Sequence, residues 1–248
     1  MVSTQIRQHS QQAELYVKRA ELHRLHGDWA SAQADYNHAS RLNPSLFVVD
    51  LGRGKLFLAI GQLRFAKTVL DRFLSHAPNH IEARLTRARV LAKLGQHNAA
   101  VQDYTFAIEQ SPRPEPEYYI ERAQILATVS DSTAQSAALR GLDEGIQKLG
   151  PLVTLELLAI DLTLQLKRYD DALTRLDAIA SQFPRQETWL ARRGDIFLQA
   201  GYPEAARQAF RAALQAIASL PPHRRHIKAV FELEVQIQKK LARIKSGE

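Results

Sequence analysis

Apolar residues along most of this chain recur at steps of three and four, with polar residues between them, which is the spacing that gathers side chains onto one face of an α-helix. The segments that carry this pattern are short, and most of the glycines and prolines fall between them as turns. The pattern therefore predicts an array of short helices.

The array is periodic. Gly27, Gly61 and Gly95 stand 34 residues apart, and starting each unit fourteen residues before its glycine gives repeats at 13–46, 47–80 and 81–114. Their eighth positions are Ala20, Gly54 and Ala88, and their twentieth are Ala32, Ala66 and Ala100. Small side chains there let the two helices of a hairpin approach closely. The twenty-fourth positions, Tyr36, Leu70 and Tyr104, fill the space left, and Pro44, Pro78 and Pro112 end the second helix.

A fourth repeat, 115–152, keeps Tyr119, Arg122, Ala123 and Leu126 but replaces the turn with Thr128-Val129-Ser130-Asp131-Ser132-Thr133, in which Ser130 or Ser132 is expected to cap the next helix. The fifth, 153–186, has Lys167 where the turn glycine belongs, and the sixth, 187–220, restores the pattern with Trp189, Gly194, Gly201, Ala206 and Phe210. After Pro221-Pro222, residues 221–248 predict one capping helix with Ile227, Val230, Phe231, Ile237, Leu241 and Ile244 as its apolar stripe. Residues 1–12 read as a frayed lead-in.

Fixed self-similarity at this period is the mark of a helix-turn-helix solenoid. The small residues, the turn and the Tyr/Phe positions together resemble the tetratricopeptide repeat, in its bacterial form. That resemblance implies an all-α fold: six helix-turn-helix repeats stacked into a right-handed superhelix, closed by a solitary C-terminal helix. It also implies binding as the class of work, with the inner face lined by first helices at positions two, five, nine and twelve of each repeat.

Transferred to this chain, the inner face places Val17, Leu51, Leu85, Ile120, Leu157 and Ala191 at position five. Position nine carries Glu21, Lys55, Arg89, Gln124, Asp161 and Asp195. The expectation is an apolar track with a basic middle and an acidic far end, suited to a peptide or amphipathic helix whose acids meet Lys55 and Arg89. A carboxylate clamp of the kind found in chaperone-binding relatives is not expected, because Val17 and Glu21 occupy the positions where it needs lysine and asparagine.

Arginine also recurs beside the small eighth residue, at Arg19, Arg53, Arg87, Arg122 and Arg193. Asp35 and Asp103 follow Arg19 and Arg87 by sixteen residues, which predicts bridges inside those hairpins.

Composition narrows the chemistry. The chain has no cysteine, which excludes disulfides, thiolate metal sites and a cysteine nucleophile. No apolar run is long enough to span a membrane. Residues 1–12 are polar and lack a signal core, so a cytoplasmic location is expected, or a periplasmic one after removal of a leader.

Metal chemistry draws no support from the paired histidines, His23 with His26 and His223 with His226, since nothing completes either pair to a ligand set. Gly52-Arg53-Gly54-Lys55 lacks phosphate-loop spacing, and neither a Gly-x-Ser-x-Gly elbow nor a His-Glu-x-x-His pair occurs. No cofactor is implied.

The formal charge of +7 directs attention to acidic partners. The basic C-terminal segment has only Phe231 as an aromatic, so no base-stacking platform accompanies its charge and nucleic acid is not expected. The reading that follows is a non-catalytic adaptor for a protein or peptide, or else a structural subunit of a larger assembly. The chain also resembles, at the level of the family, the tetratricopeptide proteins that bacteria deploy as envelope assembly factors.

Overall fold

The computed structural model describes residues 2–129 and 131–246, and the described residues form helices and connecting turns without a strand. The helices are α1 (Val2–Gln8), α2 (Ala13–Leu25), α3 (Trp29–Leu42), α4 (Val48–Ala59), α5 (Leu63–His76), α6 (Ile81–Lys93), α7 (His97–Gln110) and α8 (Pro116–Ala127). They continue with α9 (Ser132–Leu149), α10 (Val153–Gln165), α11 (Tyr169–Ala180), α12 (Glu187–Gln199), α13 (Pro203–Ala218), α14 (Pro222–Arg225) and α15 (Lys228–Ser246). Two compact units divide the chain, Met1–Thr128 and Val129–Glu248, and the division falls within the stretch expected as the fourth repeat.

In the first unit α2 pairs with α3, α4 with α5 and α6 with α7, and α8 packs on α7. Ala20, Ala32, Ala66, Ala88 and Ala100 are wholly buried at these crossings. The small eighth residue earns its place most clearly at Gly54, where an added Cβ would lie 2.5 Å from the Leu70 side chain. A methyl group there would force the helices apart, since a packed interior has no slack to absorb it. The turn glycines 27, 61 and 95 take φ between +74° and +78°, a region closed to most side chains.

The expected frayed lead-in is largely helical. Ile6 of α1 is buried with Leu15 and Tyr16, so α1 covers the apolar end of the first hairpin. The arginine ladder takes its expected form at both predicted places. Arg19 grips Asp35 through Nε and Nη2, each at 2.7 Å, and Arg87 grips Asp103 at 2.7 and 2.8 Å. The structure adds a second direction: Arg87 reaches back sixteen residues to Asp71 at 2.9 Å, and Arg53 reaches back to Asn37 at 2.6 Å. Those backward contacts tie one hairpin to the one before it.

In the second unit α9 packs on α10, α10 pairs with α11, α12 with α13, and α15 lies against α13. Phe210 fills the space over Gly194, where a Cβ would approach the ring to 2.5 Å. Arg193 repeats the backward bridge, to Asp177 at 2.8 Å. Lys167, in place of the turn glycine, still adopts φ +57°, so the turn geometry is kept at some steric cost.

Three details differ from the sequence-based expectation. The N-cap of α9 is Asp131, whose carboxylate accepts from Ala134 N at 3.2 Å; Ser132 is already inside the helix, and Ser130 lies outside the described residues. The C-terminal segment is divided into α14 and α15 by a break at His226-Ile227. The buried stripe of α15 runs through Val230 and Ile237, with Leu233, Leu241 and Ile244 beside them, whereas Ile227 and Phe231 are exposed. Ile227 precedes the helix, and Phe231 is one position, about 100° of helical turn, off the stripe.

Candidate functional site

The first helices of the first unit, α2, α4, α6 and α8, carry the residues expected to form an inner face, and they hold a cleft of about 520 Å³. Lys55 and Leu58 come from α4, Leu85 and Arg89 from α6, Tyr118 from α8 and Arg24 from the end of α2. Lys55, Leu85 and Arg89 are therefore brought together as the spacing implied. A smaller hollow of about 270 Å³ shares Arg89 and includes Tyr104, Glu121 and Gln124.

Position five contributes less surface than expected. Leu51, Leu85 and Ala191 are each only 5% exposed and pack within the stack, and Val17 and Ile120 are half-buried. Leu157, in the second unit, is the exposed member of the set. The continuous apolar track is thus reduced, because most of these side chains fill the seam between neighbouring helices.

Position nine differs more. Lys55 pairs with Glu82 at 2.7 Å, and Arg89 places Nε 3.0 Å from Glu121. In the second unit Asp161 pairs with Arg192, and Asp195 accepts from Lys240 of α15 at 2.5 Å. The basic middle and acidic far end are real in sequence, but each of these charges already has a partner on another helix. Position nine is an inter-helical ladder, and a ligand would compete with it or join it. Gln124, the uncharged member, is exposed.

One of these contacts extends into a three-residue device, and Glu21 forms a second. Tyr104 donates to Glu121 at 2.7 Å while Arg89 holds the same carboxylate. Tyr36 likewise donates to Glu21, which Arg24 holds at 2.9 and 3.0 Å. Burial pushes the Glu21 carboxyl up, yet the Tyr36 hydroxyl and Arg24 together bring it below its ordinary value. Both phenols are raised well above their usual range, by burial first and by the neighbouring carboxylate second. Gly52 makes the Tyr36 device possible, since a Cβ there would meet the Tyr36 ring at 2.5 Å. Glu82 and Glu121 were not singled out from sequence, although each lies on the first helix after the cation it meets.

Among the described residues no group of three or more histidines, cysteines or carboxylates could hold a metal ion, and no helix is long and apolar enough to cross a membrane.

The family model described as tetratricopeptide repeat-like domain matches residues 119–232, and the one described as tetratricopeptide repeat matches 51–113. No curated protein matches the sequence. Among solved structures, the chain is similar to a tetratricopeptide repeat protein from Parabacteroides merdae, with 18% identity over 95% of this chain and 93% of the other and a TM-score of 0.62. It is similar to PilF of Pseudomonas aeruginosa at 11% identity over 93% and 98% of the two chains, with a TM-score of 0.60. It is also similar to YrrB, described as a TPR protein with an unusual peptide-binding site, at 13% identity over 82% and 97%, with a TM-score of 0.56. At these identities the likeness is one of fold.

Proposed function

We propose that this chain, a tetratricopeptide-repeat protein, is a non-catalytic scaffold that takes up a protein or peptide segment on the first-helix face of unit Met1–Thr128. The observation that carries the reading is the cleft across α2, α4, α6 and α8, where Leu58 and Tyr118 offer apolar surface beside Arg24, Lys55 and Arg89. A groove of this kind seats an extended segment through apolar anchors and steers it by charge. YrrB, alike in fold, is described as binding a peptide. An acidic segment suits the cleft, because its carboxylate can take the place of Glu82 on Lys55 while the displaced Glu82 side chain, 59% exposed, turns to water.

The experiment is selection of peptides from a displayed library against the full chain, followed by affinity measurement with Lys55→Glu and Tyr118→Ala. Loss of about tenfold or more in each supports the site, since either change removes an anchor near the centre of the cleft. Unchanged affinity in both moves binding to another face.

A structural-subunit reading has one observation in its favour. Val2–Tyr16 is not the open apolar end that such a subunit would show, because Ile6, Leu15 and Tyr16 are buried. Farther along, however, Leu22, Leu25 and Trp29 at the turn end of the first hairpin are 44, 69 and 39% exposed. A permanent partner would cover them.

A further inference from the structure

Arg53 departs from the rule that Arg19, Arg87 and Arg193 follow in the arginine ladder. Arg19 has Asp35 sixteen residues ahead, Arg193 has Asp177 sixteen behind, and Arg87 has both Asp103 and Asp71. For Arg53 the residue sixteen ahead is Val69 and the residue sixteen behind is Asn37. Its guanidinium donates to the Asn37 side-chain oxygen at 2.6 Å, a neutral acceptor where the rungs at Arg19, Arg87 and Arg193 present a carboxylate.

The carboxylate in reach belongs to Asp50, one turn earlier on α4, and it is only 4% exposed. Arg72 of α5 grips it, through Nε at 2.6 Å and a second contact from Nη2. Arg72 holds Asp50 and Arg53 feels it only through space, so two guanidiniums face one carboxylate and the place is net positive. Burial lowers the pKa of Arg53, Asp50 raises it in part and Arg72 lowers it further, as expected for a cation lacking full compensation. These groups line a cleft of about 260 Å³ together with Ser40, Leu46 and Phe47. None of its residues lines the first-helix cleft described above.

We infer that this cleft between α3, α4 and α5 is a second binding site, which takes an aspartate or glutamate side chain of a protein partner. The incoming carboxylate would play toward Arg53 the part that Asp35, Asp103 and Asp177 play within the chain. A guanidinium presents a planar fork of donors that matches a carboxylate, and one Asn37 contact leaves most of that fork available. A single negative charge balances the two guanidiniums against Asp50. Leu46 and Phe47, the latter 36% exposed, supply an apolar wall for the residue beside the acid.

The test follows the arginine Nε–H signals of the full chain by NMR during titration with acetyl-leucyl-glutamate amide. Arg53 and Arg72 signals are expected to shift saturably, while those of Arg19 and Arg87, already matched, stay in place. Asn37→Asp supplies the missing carboxylate within the chain at an exposed position, so it should keep the fold and weaken the response by about tenfold or more. Lys55→Glu, in the other cleft, should leave the response unchanged, which separates this site from the first. A static Arg53 signal, an equal response in Asn37→Asp, or an equal response to the neutral acetyl-leucyl-glutamine amide would overturn the assignment. So would inorganic phosphate binding more tightly than the glutamate probe.

Discussion

Tyr104 on the second helix of one hairpin donates its hydroxyl to Glu121 on the first helix of the next, across 2.7 Å. The bond crosses a hairpin boundary within the first unit, and it holds the carboxylate that also receives Arg89 from the preceding first helix. A wall of the proposed cleft is therefore fixed by the packing of the stack itself.

Tyr104→Phe removes the hydroxyl and keeps the ring, which is 1% exposed. The bond runs to a charged acceptor, so a loss of about 1.5–3 kcal/mol of stability is expected in urea unfolding. Stability equal to wild type would show that Arg89 alone holds Glu121.

Arg87→Ala breaks the bridges to Asp103 and Asp71 at once. Arg84 still holds Asp103 at 2.9 Å, so the expected cost is about 2–3 kcal/mol, below the full penalty of an uncompensated buried charge. Thermal unfolding with and without a selected peptide reads it. A variant that keeps its melting temperature but loses the peptide would make Arg87 a ligand contact.

Lys167→Gly should stabilise the chain by about 1 kcal/mol, since Lys167 sits at φ +57° in a turn where repeats one, two, three and six use glycine. The gain is read as a shift in urea midpoint. A loss of stability would mean that the lysine side chain compensates its backbone strain.

Glu156 of α10 gives a dependence on pH. It is 8% exposed, and Arg175, 3.7 Å away, bonds instead to Asp143 of α9 at 2.5 Å, so Glu156 Oε2 lacks a hydrogen bond among the described residues. Burial raises the Glu156 carboxyl above its ordinary value; Arg175 opposes this and Asp143 adds to it. A carboxyl raised in the folded state contributes stability that is complete below its unfolded pKa and is lost as pH rises through its folded pKa. Glu156→Gln should flatten that part of the stability profile and gain about 1 kcal/mol at neutral pH. A profile that keeps the wild-type slope between the carboxyl's unfolded and folded pKa would contradict this.

The hairpins were legible because their code is local. Ala20, Ala32 and Tyr36 meet inside one hairpin, and Gly54 with Leu70 repeats the rule, so a fixed spacing in the letters is a fixed contact in space. The Arg19–Asp35 and Arg87–Asp103 bridges were readable for the same reason. The partners of position nine were not, because Lys55–Glu82, Arg89–Glu121 and Asp195–Lys240 join different helices of the stack at unequal separations in the chain. Which side chain reaches across depends on the offset between helices and on side-chain length. The burial of Leu51 and Leu85 was hidden likewise, since a leucine facing a groove and one facing a seam have the same helical period. The helical lead-in escaped because its composition is polar and Ile6 is its one deeply buried residue.

The central claim, that the first-helix face of Met1–Thr128 receives the ligand, is tested most directly by photo-cross-linking. Benzoylphenylalanine is placed at Tyr118, in the cleft, and separately at Phe65 of α5, which is 64% exposed. With a peptide selected for binding, the expected result is a cross-link from position 118 and none from position 65. A cross-link from 65 alone would contradict the account.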